Sequence, residues 1–259
     1  MRLGFYNLQG GTGKTTIAGN IAYYLSDKAK TIYVDCDIYA GSGAILFGLE
    51  NAQHTLNSYL SGNSGLNDSI NHYRDLAVIV SDSTPNAFNT DIDQKRLLEL
   101  IETLNENYDI VILDLPPNIT EGNLLFSSLN LEEKVVSKMI VVAEDSIPGI
   151  ANTLKTIELL YALDIDVVGV IVNKYRDITN FEEVLEDVMA VLPYDEKVEL
   201  QWVEAVPIIE KKSKFSRELS YLAEDLAEVY IQKDLAALRA LKLAKELKEI
   251  GLKKVDEEE

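Results

Sequence analysis

Residues 9–16 read Gln-Gly-Gly-Thr-Gly-Lys-Thr-Thr, a run whose residue types suit phosphate binding. Gly10, Gly11 and Gly13 place no Cβ in the way, so the backbone can wrap an anion closely. Backbone N–H groups of such a loop, with Thr12 among its residues, point inward at phosphate oxygens, and the positive end of a following helix reinforces them. Lys14 supplies a point charge for the β- and γ-phosphates of a nucleotide, Thr15 a hydroxyl for Mg²⁺, and Thr16 a hydroxyl for the inner phosphate. Three carboxylates belong to the same chemistry. Asp35 and Asp37 close the stretch "IYVDCD", and Asp114 sits in "VILDLPP". Asp114 suits the hydration shell of Mg²⁺, and Asp35 or Asp37 suits orientation of an attacking water. Asp35 also stands with Thr15 and Asp114 as a candidate Mg²⁺ ligand. The plainer role of a single aspartate after a strand is a cap or a turn.

These groups meet only if the chain brings them to one edge. Short Val- and Ile-rich runs at 3–7, 31–35, 76–82, 109–115, 138–144 and 166–174 read as buried strands. Helical patterns are expected at 15–25, 91–106, 121–130, 149–163 and 179–190. Continuous apolar strands separated by helices predict an α/β fold of the P-loop type, a mostly parallel sheet with helices on both faces. In such sheets ligands sit beyond the carboxyl ends of the strands. The glycine loop follows the first strand, and each aspartate follows another, so all are predicted at one rim. No repeat or linker divides the chain. One domain is expected over 1–230, then a C-terminal helix and acidic tail over 231–259.

Composition sets bounds on function. The 259 residues are 47% hydrophobic and 26% charged, with a formal net charge of −19. An acidic chain repels phosphate backbones unless positive charge is gathered locally. A lone cysteine, Cys36, excludes an internal disulfide framework and a CxxC metal site. No run of about 18 apolar residues is present and no charged-then-apolar leader opens the chain, so a cytoplasmic setting is expected.

Taken together, the loop at 9–16, D-C-D at 35–37 and D-L-P-P at 114–117 resemble the ParA/MinD family of P-loop ATPases. That resemblance covers residues 1 to about 230. It implies ATP and Mg²⁺ as cofactors and a nucleotide-dependent homodimer working with a protein partner, in DNA partition or intracellular positioning. It also accounts for Leu8, since the family loop does not use the first glycine of the common G-x-x-x-x-G-K-[ST] pattern. "VGVIVNKY" at 168–175 and "AVLPYDEKV" at 190–198 are similar to the family's adenine-side segments. They imply Asn173 at the base edge and Pro193 packed beside the base. In the family a lysine stands where this chain has Gln9, and it reaches the partner's phosphates. Gln9 is neutral and shorter, so it is a weaker catalytic group there, and slow turnover is expected. Iron–sulfur relatives need paired cysteines, and tyrosine kinases of this fold end in a tyrosine cluster; this chain has neither. A nucleotide-binding scaffold with negligible hydrolysis and an ATP-dependent small-molecule enzyme stay open as alternatives.

Two segments offer contact surfaces. Lys211, Lys212, Lys214 and Arg217 gather within 210–219 and suit DNA, or else form the solvated start of a helix. The run at 234–254 places Ala236, Ala240, Leu243, Leu247 and Ile250 on one helical face. It lacks Trp and Phe and is followed by an acidic end, so packing on protein is favoured over a peripheral membrane contact.

Overall fold

The computed structural model describes residues 1–90, 92–117 and 138–228. The helix expected at 121–130, the C-terminal helix and the tail lie outside the described residues. Eight strands form one sheet: β1 (Arg2–Tyr6), β2 (Thr31–Asp35), β3 (Asn71–Tyr73), β4 (Leu76–Ile79), β5 (Ile110–Asp114), β6 (Lys138–Glu144), β7 (Asp166–Tyr175) and β8 (Val188–Pro193). Their spatial order is β3-β4-β2-β5-β1-β6-β7-β8. Only β3 runs antiparallel, to β4; every other pairing is parallel. The longer helices are α1 (Lys14–Ser26), α5 (Gln94–Asn107), α6 (Ile147–Ala162) and α8 (Lys214–Leu226). Shorter ones are α2 (Gly43–Leu46), α3 (Leu56–Leu60), α4 (Leu66–Ser69) and α7 (Leu200–Glu204).

Alternation along the strands sends neighbouring side chains to opposite faces, and both faces are covered. On β5, Ile110 and Ile112 join the cluster that includes Ile17, Ile21 and Leu25 of α1 and Phe215, Leu219 and Leu222 of α8. Val111 and Leu113 join the other cluster, with Leu97, Leu100, Ile101 and Leu104 of α5 and Ile150 and Leu160 of α6. Each fully buried aliphatic side chain contributes about 1.5–3 kcal/mol relative to exposure. Ile17 and Ile21 of α1 are buried, whereas Tyr24 is only half-buried and its hydroxyl bonds Glu224.

The helix expected at 179–190 is not formed. A 3-10 turn at Phe181–Glu183 is followed by strand β8. Phe181 and Leu185 still enter the core. Asp187, with φ 53°, turns the chain, and the apolar run from Val188 pairs with β7 at Val170, Ile171 and Val172. The unpaired edge of β7 wins over local helical periodicity, because pairing satisfies a row of backbone groups.

Candidate functional site

β1 ends at Tyr6 and the chain turns through the glycine loop into α1. Gly11 (φ 75°) and Gly13 (φ 98°) both adopt left-handed backbone conformations that a side chain resists. At Gly13 the substitution is barred twice, since a Cβ would lie 2.2 Å from the Asn173 amide nitrogen. Gly13 is also the N-cap of α1. It offers no side-chain acceptor, and the first turn carries no acid. The first N–H groups of the helix therefore have neither cap nor counter-charge from their own segment, a state that suits an anion.

A cavity of about 380 Å³ opens on this loop. Among the residues expected at the site, Gly10, Gly11, Gly13, Lys14, Thr15, Thr16, Asp37, Asp114, Asn173 and Pro193 all line it. Lys14 is buried, and its ammonium donates to the Gln9 carbonyl at 3.2 Å. Burial pushes its pKa down, against the opposing pull of the Asp114 and Asp37 carboxylates. Asp37 accepts the N–H groups of Tyr39 and Ala40 at one oxygen, which shapes the turn after β2.

Three expected residues stand elsewhere. Thr12 is fully buried and contributes through its carbonyl, which accepts from Asn173 Nδ2 at 2.7 Å. Asp35 does not line the cavity, contrary to its expected place among the Mg²⁺ ligands. It lies behind the rim, where its two oxygens accept the Asp37 N–H at 3.1 Å and the Gly43 N–H at 2.8 Å. It pairs in register with Asp114 across β2 and β5. Burial pushes both carboxyls upward. The Asp114 charge raises Asp35 further, while the Thr15 and Tyr33 hydroxyls and the Lys14 cation restrain the rise at Asp114.

Gln9 is also off the cavity lining. Its amide nitrogen donates to Glu144 Oε2 and its amide oxygen accepts from Asn152 Nδ2, each at 3.1 Å. Asn7, fully buried, accepts the Gln9 N–H at 2.8 Å and donates to the Val142 carbonyl and the Thr153 hydroxyl, so the entry to the loop is tied to β6 and α6.

The site holds groups the sequence did not announce. Lys174 lines the cavity, and its ammonium donates to the Gly11 carbonyl at 2.6 Å while pairing with Glu144 at 3.4 Å. Its φ of 55° turns it toward the same loop as Asn173. Tyr194 and Trp202 line the end of the cavity near Pro193, and the Arg176 guanidinium lies 3.6 Å from the Tyr194 ring centre. The turn after β7 is built on Asp145, a buried carboxylate that accepts the N–H groups of Arg176, Ile178 and Thr179 and the Thr179 hydroxyl. Adjacency to Asn173 was the only signal for Lys174; nothing in the sequence marked Asp145.

The basic stretch is partly neutralised. Lys211 pairs with Glu204 and Arg217 with Glu218, whereas Lys212 and Lys214 are exposed. No helix among the described residues is long and apolar enough to cross a membrane.

A model of the AAA domain matches residues 2–167. An uncharacterized ATP-binding protein of Methanocaldococcus jannaschii is 53% identical over 250 residues, which cover 96% of this chain and 94% of that one. Among solved structures, the septum site-determining protein MinD of Pyrococcus horikoshii, complexed with Mg-ADP, aligns with a TM-score of 0.77 at 23% identity, over 87% of this chain and 95% of that one. A ParA family ATPase of Chlorobium tepidum aligns with a TM-score of 0.73 at 20% identity, over 86% and 96%. The chain therefore belongs to the AAA-domain family, built on the P-loop fold that MinD and ParA proteins share.

Proposed function

We propose that the chain is an ATP-binding molecular switch of ParA/MinD type that hydrolyses ATP slowly. The observation that carries this reading is one cavity lined both by the phosphate-binding groups of the loop and by Asn173, whose amide nitrogen braces that loop at the Thr12 carbonyl. Asn173 Oδ1 is buried and has no hydrogen-bond partner. Once a ligand turns this side chain outward, a donor-less acceptor on a cavity-lining residue matches the exocyclic amino group of adenine and opposes the carbonyl that guanine carries at that place. The name of the Methanocaldococcus relative and the Mg-ADP in the Pyrococcus MinD structure support the same ligand class.

The donor set fits Mg²⁺ held together with a nucleotide. Among the described residues no group of three His, Cys, Asp or Glu converges on a metal position, so an all-protein cage is absent there. The Thr15 hydroxyl and the Asp114 carboxylate at the cavity wall suit an ion that keeps its waters and binds phosphate oxygens. When bound, Mg²⁺ neutralises charge on the phosphates. Lys14 holds the β- and γ-phosphates, Thr16 the inner phosphate, and Asp37 orients water. Gln9, held within its own chain, leaves no fixed positive charge for a partner's nucleotide, which accounts for slow turnover. The switch acts as a nucleotide-dependent homodimer with a protein partner, in DNA partition or intracellular positioning. Half-neutralisation of the basic stretch weakens the DNA arm.

Calorimetry with Mg-ATP tests the reading. Wild type binds, and Lys14→Ala, which removes the charge on the β- and γ-phosphates, does not. Unchanged affinity in a folded Lys14→Ala variant removes the site assignment. Phosphate release measured alone, with DNA and with anionic liposomes then identifies what the switch answers to. A binding protein that releases no phosphate under any of the three is instead a nucleotide-binding scaffold, a second reading that the tethered Gln9 favours.

A further inference from the structure

Two carboxylates buried side by side must each be given donors, because an unpaired buried charge is costly. Asp35 and Asp114 are 1% and 3% exposed. Asp35 takes its donors from the backbone. Asp114 takes one from Tyr33, a fully buried side chain that the phosphate-binding pattern does not call for. Tyr33 lies two residues before Asp35 on the same strand face, and its hydroxyl donates to Asp114 Oδ2 at 2.8 Å. The ring is held on two sides. It meets Phe47 edge-on with centroids 5.3 Å apart. It also fills the space beside Gly43, where a Cβ would stand 2.9 Å from both the hydroxyl and Cε1.

A donor fixed in this way does one specific thing to a carboxylate. It occupies one edge of the group and stops it rotating, so the rest of the group keeps one orientation toward the Thr15 hydroxyl and the cavity. We propose that Tyr33 is a positioning residue for Mg²⁺, acting through Asp114. The assignment rests on the Mg-nucleotide reading proposed above. Tyr33 touches neither nucleotide nor metal; it sets the direction in which Asp114 presents its oxygens.

The test uses the full chain and its single tryptophan, Trp202, which lines the cavity and reports nucleotide by fluorescence. ATP is titrated without Mg²⁺, and Mg²⁺ is then titrated at saturating ATP, for wild type, Tyr33→Phe, Asp114→Asn and the double variant. Tyr33→Phe deletes one oxygen and keeps the contact with Phe47. Its affinity for Mg²⁺-free ATP should stay within twofold of wild type, while half-saturation by Mg²⁺ moves about tenfold higher, as loss of a partner behind a metal ligand does. The double variant should need no more Mg²⁺ than Asp114→Asn alone. Gly43→Ala gives a second route should Tyr33→Phe fail to fold: its methyl group crowds the Tyr33 hydroxyl and Asp35 Oδ2 alike, each at 2.9 Å, and a raised Mg²⁺ midpoint with unchanged affinity for Mg²⁺-free ATP is expected. An unmoved Mg²⁺ midpoint in the folded variant, or multiplicative effects in the double variant, overturns the role of Tyr33 alone. No nucleotide signal in wild type overturns the nucleotide reading first, and this proposal with it.

Discussion

Asn173 makes one hydrogen bond through its amide nitrogen, and in the nucleotide reading proposed above its Oδ1 bonds the ligand, so truncating it separates two costs. In Asn173→Ala the Thr12 carbonyl loses its donor in a fully buried position. An unsatisfied buried acceptor costs about 1–3 kcal/mol, and this appears as lost folding stability. The Oδ1 atom has no partner within the protein. In that reading its bond to an adenine amino group forms only on binding, and a neutral hydrogen bond is worth about 1 kcal/mol net. Affinity for ATP should therefore fall about fivefold. GTP presents an acceptor to Oδ1 in wild type, so removing Oδ1 should leave GTP unharmed or help it, and the preference for ATP narrows. Urea unfolding followed by Trp202 fluorescence reads the first cost, and calorimetry with ATP and GTP reads the second. A variant that loses stability yet keeps both its ATP affinity and its preference over GTP would show that Asn173 braces the loop without reading the base.

Asp37→Ala should retain Mg-ATP and lose hydrolysis, because it removes water orientation and leaves the phosphate contacts; normal phosphate release would give that role to another group. Gln9→Lys should raise ATP-dependent dimerisation, hydrolysis or both, by supplying a cation for a partner's phosphates, since Glu144 is already paired with Lys174. Size-exclusion with a nonhydrolysable analogue and phosphate release read both effects, and no change in either would make the glutamine neutral. Asp145 carries a pH signature. Burial alone would raise its pKa, but the Thr179 hydroxyl and the three N–H groups outweigh it and hold it below the usual carboxylate range. A depressed pKa contributes stability that is present above the unfolded value, near pH 4, and lost as pH falls through the folded value. Asp145→Asn should cost about 2 kcal/mol at pH 7 and decline less steeply below pH 4; parallel acid-unfolding curves for the two proteins would contradict this.

The parts that could be read from the sequence are those where residue type and spacing are themselves the chemistry. Three glycines, Lys14 and two threonines in eight residues specify a phosphate loop wherever a strand precedes and a helix follows, and both do. Asp114 followed from its place at a strand end. Asn173 and Pro193 followed only from family resemblance. Asp35 and Asp37 look alike in sequence, two apart at one strand end. Only the turn through Gly43 decides that the first is consumed by backbone donors while the second meets the cavity. Tyr33 read as one more buried strand residue, since its bond crosses from β2 to β5, 81 positions away. The run 179–190 misled because Phe181 and Leu185 carry a helical spacing, while the edge of β7 that claims the following residues leaves no local trace.

Lys174 interrupts the alternation of β7 by adopting a left-handed backbone, and so two consecutive side chains grip one loop, Asn173 at Thr12 and Lys174 at Gly11. In mechanical terms the glycine loop is bolted to the end of β7, and its stiffness is borrowed from the sheet. In the switch proposed above, a loop clamped in this way is expected to move little when the terminal phosphate leaves. The difference between the two nucleotide states is then expected on the other wall of the cavity, the turn from Asp37 to Gly43, where Ile38 is anchored through its carbonyl to Asn57 while Ala40, Gly41 and Ser42 line the cavity. Partner surfaces that read this switch should therefore be sought around residues 37–43 and not on the phosphate loop.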